Sequence, residues 1–211
     1  MSSSRGDSAP AALLAAARTG GGEHLGRLLE VYRTYLKLLA RTQLSLHLQA
    51  RVNPSDIVQE TFLEAYRDFP QFRGNTEAEF LAWLRRILVN NLARLCERHM
   101  QAKKRDVRCE LSLEQLGALV DRSSARMESL VAATTSSPSA SAQRQERATM
   151  LAEHLSQLSE DHRQVIVLRH LEDLPFDEVG QRMGRTSGAV RMLWLRAIDQ
   201  LRRNMNEEHL P

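Results

Sequence analysis

Four arginines, Arg185, Arg191, Arg196 and Arg202, stand in one stretch near the C-terminus, with Thr186, Ser187 and Gly188 following the first of them. The chemistry open to such residues is recognition. A guanidinium bridges O6 and N7 of a guanine by two parallel hydrogen bonds, while other side chains and backbone amides hold phosphate oxygens. Arg191 is the first candidate for a base edge and Arg196 the second; Arg185, and Arg169 upstream, suit phosphates. Gly188 and Leu195 share the face of Arg191. Met192 and Leu193, directly after Arg191, are apolar and either pack or touch a thymine methyl. A second basic group includes Arg86, Arg94 and Arg98, with Asn90 among them, and follows the loop Arg73, Gly74, Asn75 and Thr76. Asp56, Gln59 and Glu60 form a third, acidic and polar, group.

The elements that hold these groups are helices. Pro175 suits a first helical position, Val179 and Met183 repeat at i and i+4, and Gly184 follows as a stop signal. Thr186 or Ser187 then caps a second helix, whose stripe Val190, Trp194, Ala197 and Leu201 faces inward while Gly188, Arg191, Leu195, Asp199 and Arg202 fall outside it. Two helices joined by a tight glycine turn, the second with arginines on its free face, describe a helix-turn-helix. Upstream, Asn53-Pro54-Ser55-Asp56 opens a helix with Ile57, Val58, Thr61 and Ala65 inside. Phe80, Leu81, Trp83, Leu84, Ile87, Leu88, Asn91, Leu92 and Leu95 make a stripe wide enough for a central buried helix, with Phe62 and Trp83 assigned to the core.

The chain has 211 residues, 42% apolar and 26% charged, with a formal charge of +3. This suits a folded protein in which local charge clusters matter more than the total. With only Cys96 and Cys109 there is no disulfide framework, and a reducing compartment follows. No signal pattern or apolar run of bilayer length occurs, so a cytoplasmic location is expected. Cys96, His99 and Cys109 lack a fourth ligand, so no metal is expected. No phosphate loop, carboxylate pair or Ser/His/Asp spacing can be placed, so neither enzyme activity nor a cofactor is expected. Without strand alternation or repeats, the fold class is all-α with two helical domains. The expected divisions are a tail with a short helix over 1–22, a first domain over 23–108, a linker over 109–145 with one helical turn around Leu113 to Leu119, a helix-turn-helix domain over 146–206, and a tail over 207–211.

Taken together, three segments resemble the sigma-70 family of bacterial RNA polymerase specificity subunits, in the extracytoplasmic-function type that keeps regions 2 and 4. Asp56-Ile-Val-Gln-Glu-Thr-Phe-Leu-Glu-Ala-Tyr66 is similar to the core-binding helix of region 2. Phe72-Arg-Gly74, with Phe80-Leu-Ala-Trp-Leu-Arg-Arg-Ile87 and Asn90-Asn91, resembles its promoter-melting segment; Leu158 through Leu201 resembles region 4. Val190 to Ala197 and Ala102 to Val107 further resemble a planctomycete-type subgroup. The resemblance implies that region 4 reads the upstream (−35) element and region 2 melts and reads the downstream (−10) element. It also implies that Asp56, Gln59 and Glu60 dock the β′ coiled coil of core RNA polymerase, that the β flap and promoter DNA are further partners, and that an anti-sigma factor is possible. The loop at Arg73 to Thr76 would capture an unstacked base, with Arg86, Asn90 and Arg94 contacting DNA beyond it. In the family the two positions after Arg191 are small polar and then basic, unlike Met192 and Leu193. The free chain is expected to be monomeric. The alternative is a stand-alone helix-turn-helix regulator that binds duplex DNA without polymerase.

Overall fold

The computed structural model describes residues 10–20, 22–44, 52–102, 112–134 and 141–207. Lys103, Lys104, Arg105, Arg108 and Cys109 lie outside them. Every regular element among the described residues is helical. The chain divides into two units, residues 1–120 and 121–211.

In the first unit, α1 (Pro10–Arg18) packs on α2 (Gly22–Val31), and α3 (Arg33–Gln43) follows. The apolar spacing from Leu25 to Leu39 reads as one helix, but the structure pauses at Tyr32. Its buried ring meets Phe80 at 5.9 Å and its hydroxyl donates to Glu77 Oε1 at 2.8 Å. Buried spacing continues on both sides of the pause, so periodicity does not mark it.

Helix α4 (Pro54–Asp68) is capped by Asn53, whose Oδ1 accepts from the Ser55 amide at 3.0 Å. It buries Ile57, Val58, Thr61 and Ala65 against α5 (Glu77–Ala102), which contributes Phe80, Leu81, Leu84, Leu88 and Leu92 to the core. Phe62 and Trp83, expected inside, are only half-buried. The Arg33 guanidinium lies 5.0 Å from the Phe62 ring, and Trp83 faces Phe72 with centroids 5.0 Å apart.

The segment 109–145, expected as a linker with one helical turn around Leu113 to Leu119, contains a 22-residue helix, α6 (Leu113–Thr134), and the boundary between the units falls inside it. Leu116, Val120, Ser123, Met127 and Leu130 are all buried, at alternating spacings of four and three. That is a helical seam in which a serine occupies one apolar position, so composition hides it.

The second unit adds α7 (Ser141–Gln157), α8 (Glu160–Ile166), α9 (Phe176–Met183) and α10 (Ser187–Glu207). Ser159 caps α8, which runs on as a π-helical turn, Val167–Leu171. Beyond it Asp173 has φ of 60°, a left-handed conformation for a residue with a side chain. Arg126 of α6 holds this turn by donating to the Leu171 carbonyl at 3.0 Å and to Asp173 Oδ2 at 2.9 Å. Pro175 sits one residue earlier than expected, outside α9 in extended conformation.

Helix α10 buries Val190, Ala197, Leu201 and Met205 and packs on α8 and α9. The α9–α10 turn depends on two glycines. Gly184 has φ of 64°, and the Arg185 amide reaches back to the Gly180 carbonyl at 2.9 Å, a Schellman closure. A Cβ on Gly180 would lie 2.7 Å from the Arg185 carbonyl oxygen. Gly184→Ala is expected to destabilise the second unit by about 1–2 kcal/mol, and Gly180→Ala by more, because the obstacle is backbone. Urea denaturation followed by Trp194 fluorescence in a Trp83→Phe background measures both.

Candidate nucleic-acid interface

Within the second unit the arginines separate into those answered by carboxylates and those that are not. Arg182 pairs with Glu172 at 2.7 Å and Glu178 at 2.8 Å, Arg203 with Asp199 at 2.6 Å, and Arg185 with Asp161. Arg169 donates to the Leu174 carbonyl at 3.2 Å and lies 3.6 Å from Asp173. Arg191 and Arg196 are exposed on α10 and pair with no carboxylate among the described residues. A guanidinium paired inside the fold spends its donors there, so these two retain theirs for a ligand.

Thr186 is the cap of α10: its Oγ1 accepts from the Ala189 amide at 3.3 Å, and its carbonyl from Val190 at 3.0 Å. Ser187 is the half-buried first helical residue. Gly188 is exposed, with nothing within 4 Å of where a Cβ would stand. Met192 and Leu195 are exposed as well, so Gly188, Arg191, Met192, Leu195 and Arg196 form one continuous face.

An aromatic group that sequence reasoning missed lies beside this face. The Arg191 and Arg169 guanidinium carbons sit 5.3 Å and 5.1 Å from the centre of the Phe176 ring. Phe176 meets Trp194 edge-on at 5.8 Å, and Trp194 meets His170 at 6.0 Å. Burial, and then the Arg169 charge, push the His170 imidazole below its ordinary pKa, so it is neutral against the indole at neutral pH. The ring of Phe176 restricts Arg191 by a cation–π contact. Its place at the start of α9, directly after Pro175 and seven residues from Arg169, was the available signal.

In the first unit the Arg73 to Thr76 loop is organised by Glu79. The Glu79 carboxylate accepts from the amides of Asn75 and Thr76 at 2.8 and 3.0 Å and from the Thr76 hydroxyl at 2.9 Å. The Glu79 amide in turn donates to Thr76 Oγ1 at 3.2 Å, which completes a capping box. Three donors of the loop are therefore engaged, leaving the side chains of Arg73 and Asn75 without a partner among the described residues. Gly74 lies under Phe72, whose ring a Cβ would strike, and the Gly74 carbonyl accepts from Arg18. Half-buried Phe72 and Trp83 supply aromatic surface beside the loop.

Arg86, Asn90 and Arg94 follow along α5 at intervals of one turn, so Arg94 stands about 12 Å along the axis from Arg86. They make a row and not a pocket. Arg86 is exposed, Asn90 is half-buried, and Arg94 pairs with Glu64 at 2.7 Å. Asn91 is buried, donating to Thr61 Oγ1 at 3.3 Å and Glu64 Oε2 at 3.1 Å.

Asp56, Gln59 and Glu60 are exposed along α4, and Glu60 lies 3.6 Å from Arg98. A large apolar residue belongs to the same stripe: Leu63, 67% exposed, edges a groove of about 500 Å³ between α4 and α5 that Glu60, Arg94 and Arg98 also line. Its spacing from Gln59 and Glu60 was legible.

Residues 31–101 match the family described as Sigma-70 region 2, and residues 154–203 match Sigma-70, region 4. The RNA polymerase sigma-H factor of Pseudomonas aeruginosa is 30% identical over 153 residues, 69% of each chain. The ECF RNA polymerase sigma-E factor of Escherichia coli is 30% identical over 149 residues, 69% of this chain and 70% of that one. The sigma factor CarQ of Myxococcus xanthus is 28% identical, covering 74% of this chain and 76% of its own. A solved structure of CnrH in complex with the cytosolic domain of CnrY matches 94% of this chain and 97% of that chain at 22% identity, with a TM-score of 0.34.

The amide and hydroxyl donors of Asn75 and Thr76 hold the Glu79 carboxyl below its ordinary value of 4.5. A depressed carboxyl contributes its bonds fully above the ordinary value and loses them as pH falls through the lowered one. Acidification below pH 4.5 is therefore expected to lower the protection of the Asn75 and Thr76 amides relative to their intrinsic exchange rates, measured by NMR. Glu79→Gln should remove that pH dependence.

Proposed function

The chain belongs to the sigma-70 family, as a promoter-specific transcription initiation factor of the extracytoplasmic-function type, and from that premise we propose how its residues divide the work. The exposed face of α10 enters the major groove of the upstream element, with Arg191 and Arg196 on base edges and Gly188 admitting the duplex closely. Thr186 and Ser187, at the start of that helix, meet the phosphate backbone, and Arg185 and Arg169 do so by exchanging their carboxylates for phosphates. The observation that carries this reading is the selective absence of carboxylate partners from Arg191 and Arg196 in a unit where Arg182, Arg185 and Arg203 are paired.

The first unit docks core RNA polymerase and opens the downstream element. Asp56, Gln59 and Glu60 set the register on the β′ coiled coil, and Leu63 supplies the apolar anchor that polar groups alone do not. Arg73 and Asn75 receive an extruded base, with Gly74 and Thr76 shaping the loop. Extrusion costs a few kcal/mol, which binding to the trapped base offsets without nucleotide hydrolysis. Arg86, Asn90 and Arg94 follow the adjoining backbone. The second unit also meets the β flap. An anti-sigma protein would act by covering these faces, and the free chain is monomeric and cytoplasmic. The role requires no catalytic group or cofactor in the chain itself.

Run-off transcription from genomic fragments, with core polymerase and with or without the chain, tests the assignment. Arg191→Ala or Arg196→Ala should each reduce promoter-specific transcripts by about ten-fold or more, since a bidentate base contact carries ~1–3 kcal/mol. Arg203→Ala, which removes a charge already answered by Asp199, should leave them within about two-fold. Equal losses in all three would defeat the assignment.

A further inference from the structure

Two large apolar side chains lie in the middle of the arginine face of α10: Met192 is 52% exposed and Leu195 is 49% exposed. Single exposed apolar residues are ordinary. These two, however, are neighbours three residues apart, flanked by Arg191 and Arg196, whose guanidiniums no carboxylate among the described residues answers. The charge suits a polyanion, and the apolar pair requires an apolar feature within it. On the floor of a DNA major groove that feature is the 5-methyl group of thymine. The spacing agrees: residues three apart rise ~4.5 Å along a helix, close to the ~3.4 Å step between base pairs.

We propose that Met192 and Leu195 are specificity-determining residues that read thymine methyl groups, so the duplex this chain selects carries thymines at positions neighbouring the base contacts of Arg191 and Arg196. This rests on the reading of α10 as the helix that enters the major groove. Open space at Gly188, one turn before Met192, lets the duplex approach that end of the face.

The test removes the methyl groups and nothing else. Promoter duplexes are selected from a randomised library by the full chain bound to core polymerase. They are then resynthesised with deoxyuridine replacing each thymidine in turn, and affinity is measured at fixed salt. At one or two positions in the upstream element, loss of the methyl should weaken binding about four-fold, the weight of one buried methyl. Leu195→Ala should abolish the sensitivity at one of them and Met192→Ala at the other, because each variant no longer distinguishes thymine from uracil there. Both positions are about half exposed and lie outside the core, so the substitutions leave its packing in place. Absence of any methyl-sensitive position overturns the proposal, as does sensitivity that persists in both variants. Variants that weaken binding to thymine and uracil duplexes equally also overturn it, and assign the patch to a protein contact. If instead no duplex is enriched, or Arg191→Ala leaves affinity unchanged, the failure belongs to the groove reading itself.

Discussion

The carbonyl of Arg185 occupies the space that a side chain at position 180 would need. This close approach lets α9 and α10 meet across a turn of three residues, and Gly184 supplies the left-handed backbone that closes it. With the turn so tight, the buried stripe of Val190, Ala197 and Leu201 fixes the rotation of α10 about its own axis. What is left outside follows by subtraction. Arg191 and Arg196 are presented because Gly180 has no Cβ, and the proposed reading of a promoter descends from that missing methyl.

Electrostatics then selects among groups the fold has merely exposed. The formal charge of +3 is small for a protein that works on nucleic acid. Carboxylates answer Arg67, Arg94, Arg182, Arg185 and Arg203, so much of the basic content braces helices to one another or to themselves. Such pairs contribute little stability each. Their larger effect is to keep nonspecific attraction to DNA low, since that attraction grows with the number of phosphates neutralised. A factor carried on polymerase needs only a few free cations, because the second contact benefits from the effective concentration created by the first.

The buried faces of α4, α5 and α10 were legible because apolar residues recur there at helical spacing, with few small or polar interruptions. Asn91, read as part of the stripe on α5, is buried there with its amide donating to Thr61 and Glu64. The long helix α6 was not legible: Ser123 and Ser124 are buried where a periodicity reading looks for aliphatic side chains. Neither was the break at Tyr32, which depends on Phe80 and Glu77, more than forty residues away in the chain. At the loop after Phe72, the Asn75 and Thr76 donors are consumed by Glu79 from the first turn of the next helix, a contact that reading the loop by itself does not reveal. Arg182 pairs with Glu178 at i and i+4 along α9, which spacing does reveal, but its second partner Glu172 and the Asp161 that answers Arg185 lie on other elements, where it does not.

Arg126 gives the dissection of this molecule an unexpected cut line. The family match to region 4 starts at residue 154, yet the turn that leads into α9 is held by an arginine 28 residues upstream of that start. A fragment trimmed to the matched segment would carry every residue of the helix-turn-helix while leaving the Leu171 carbonyl and the left-handed Asp173 without the side chain that binds both. The inherited module and the physical module are therefore different lengths, and the smaller one is missing a brace.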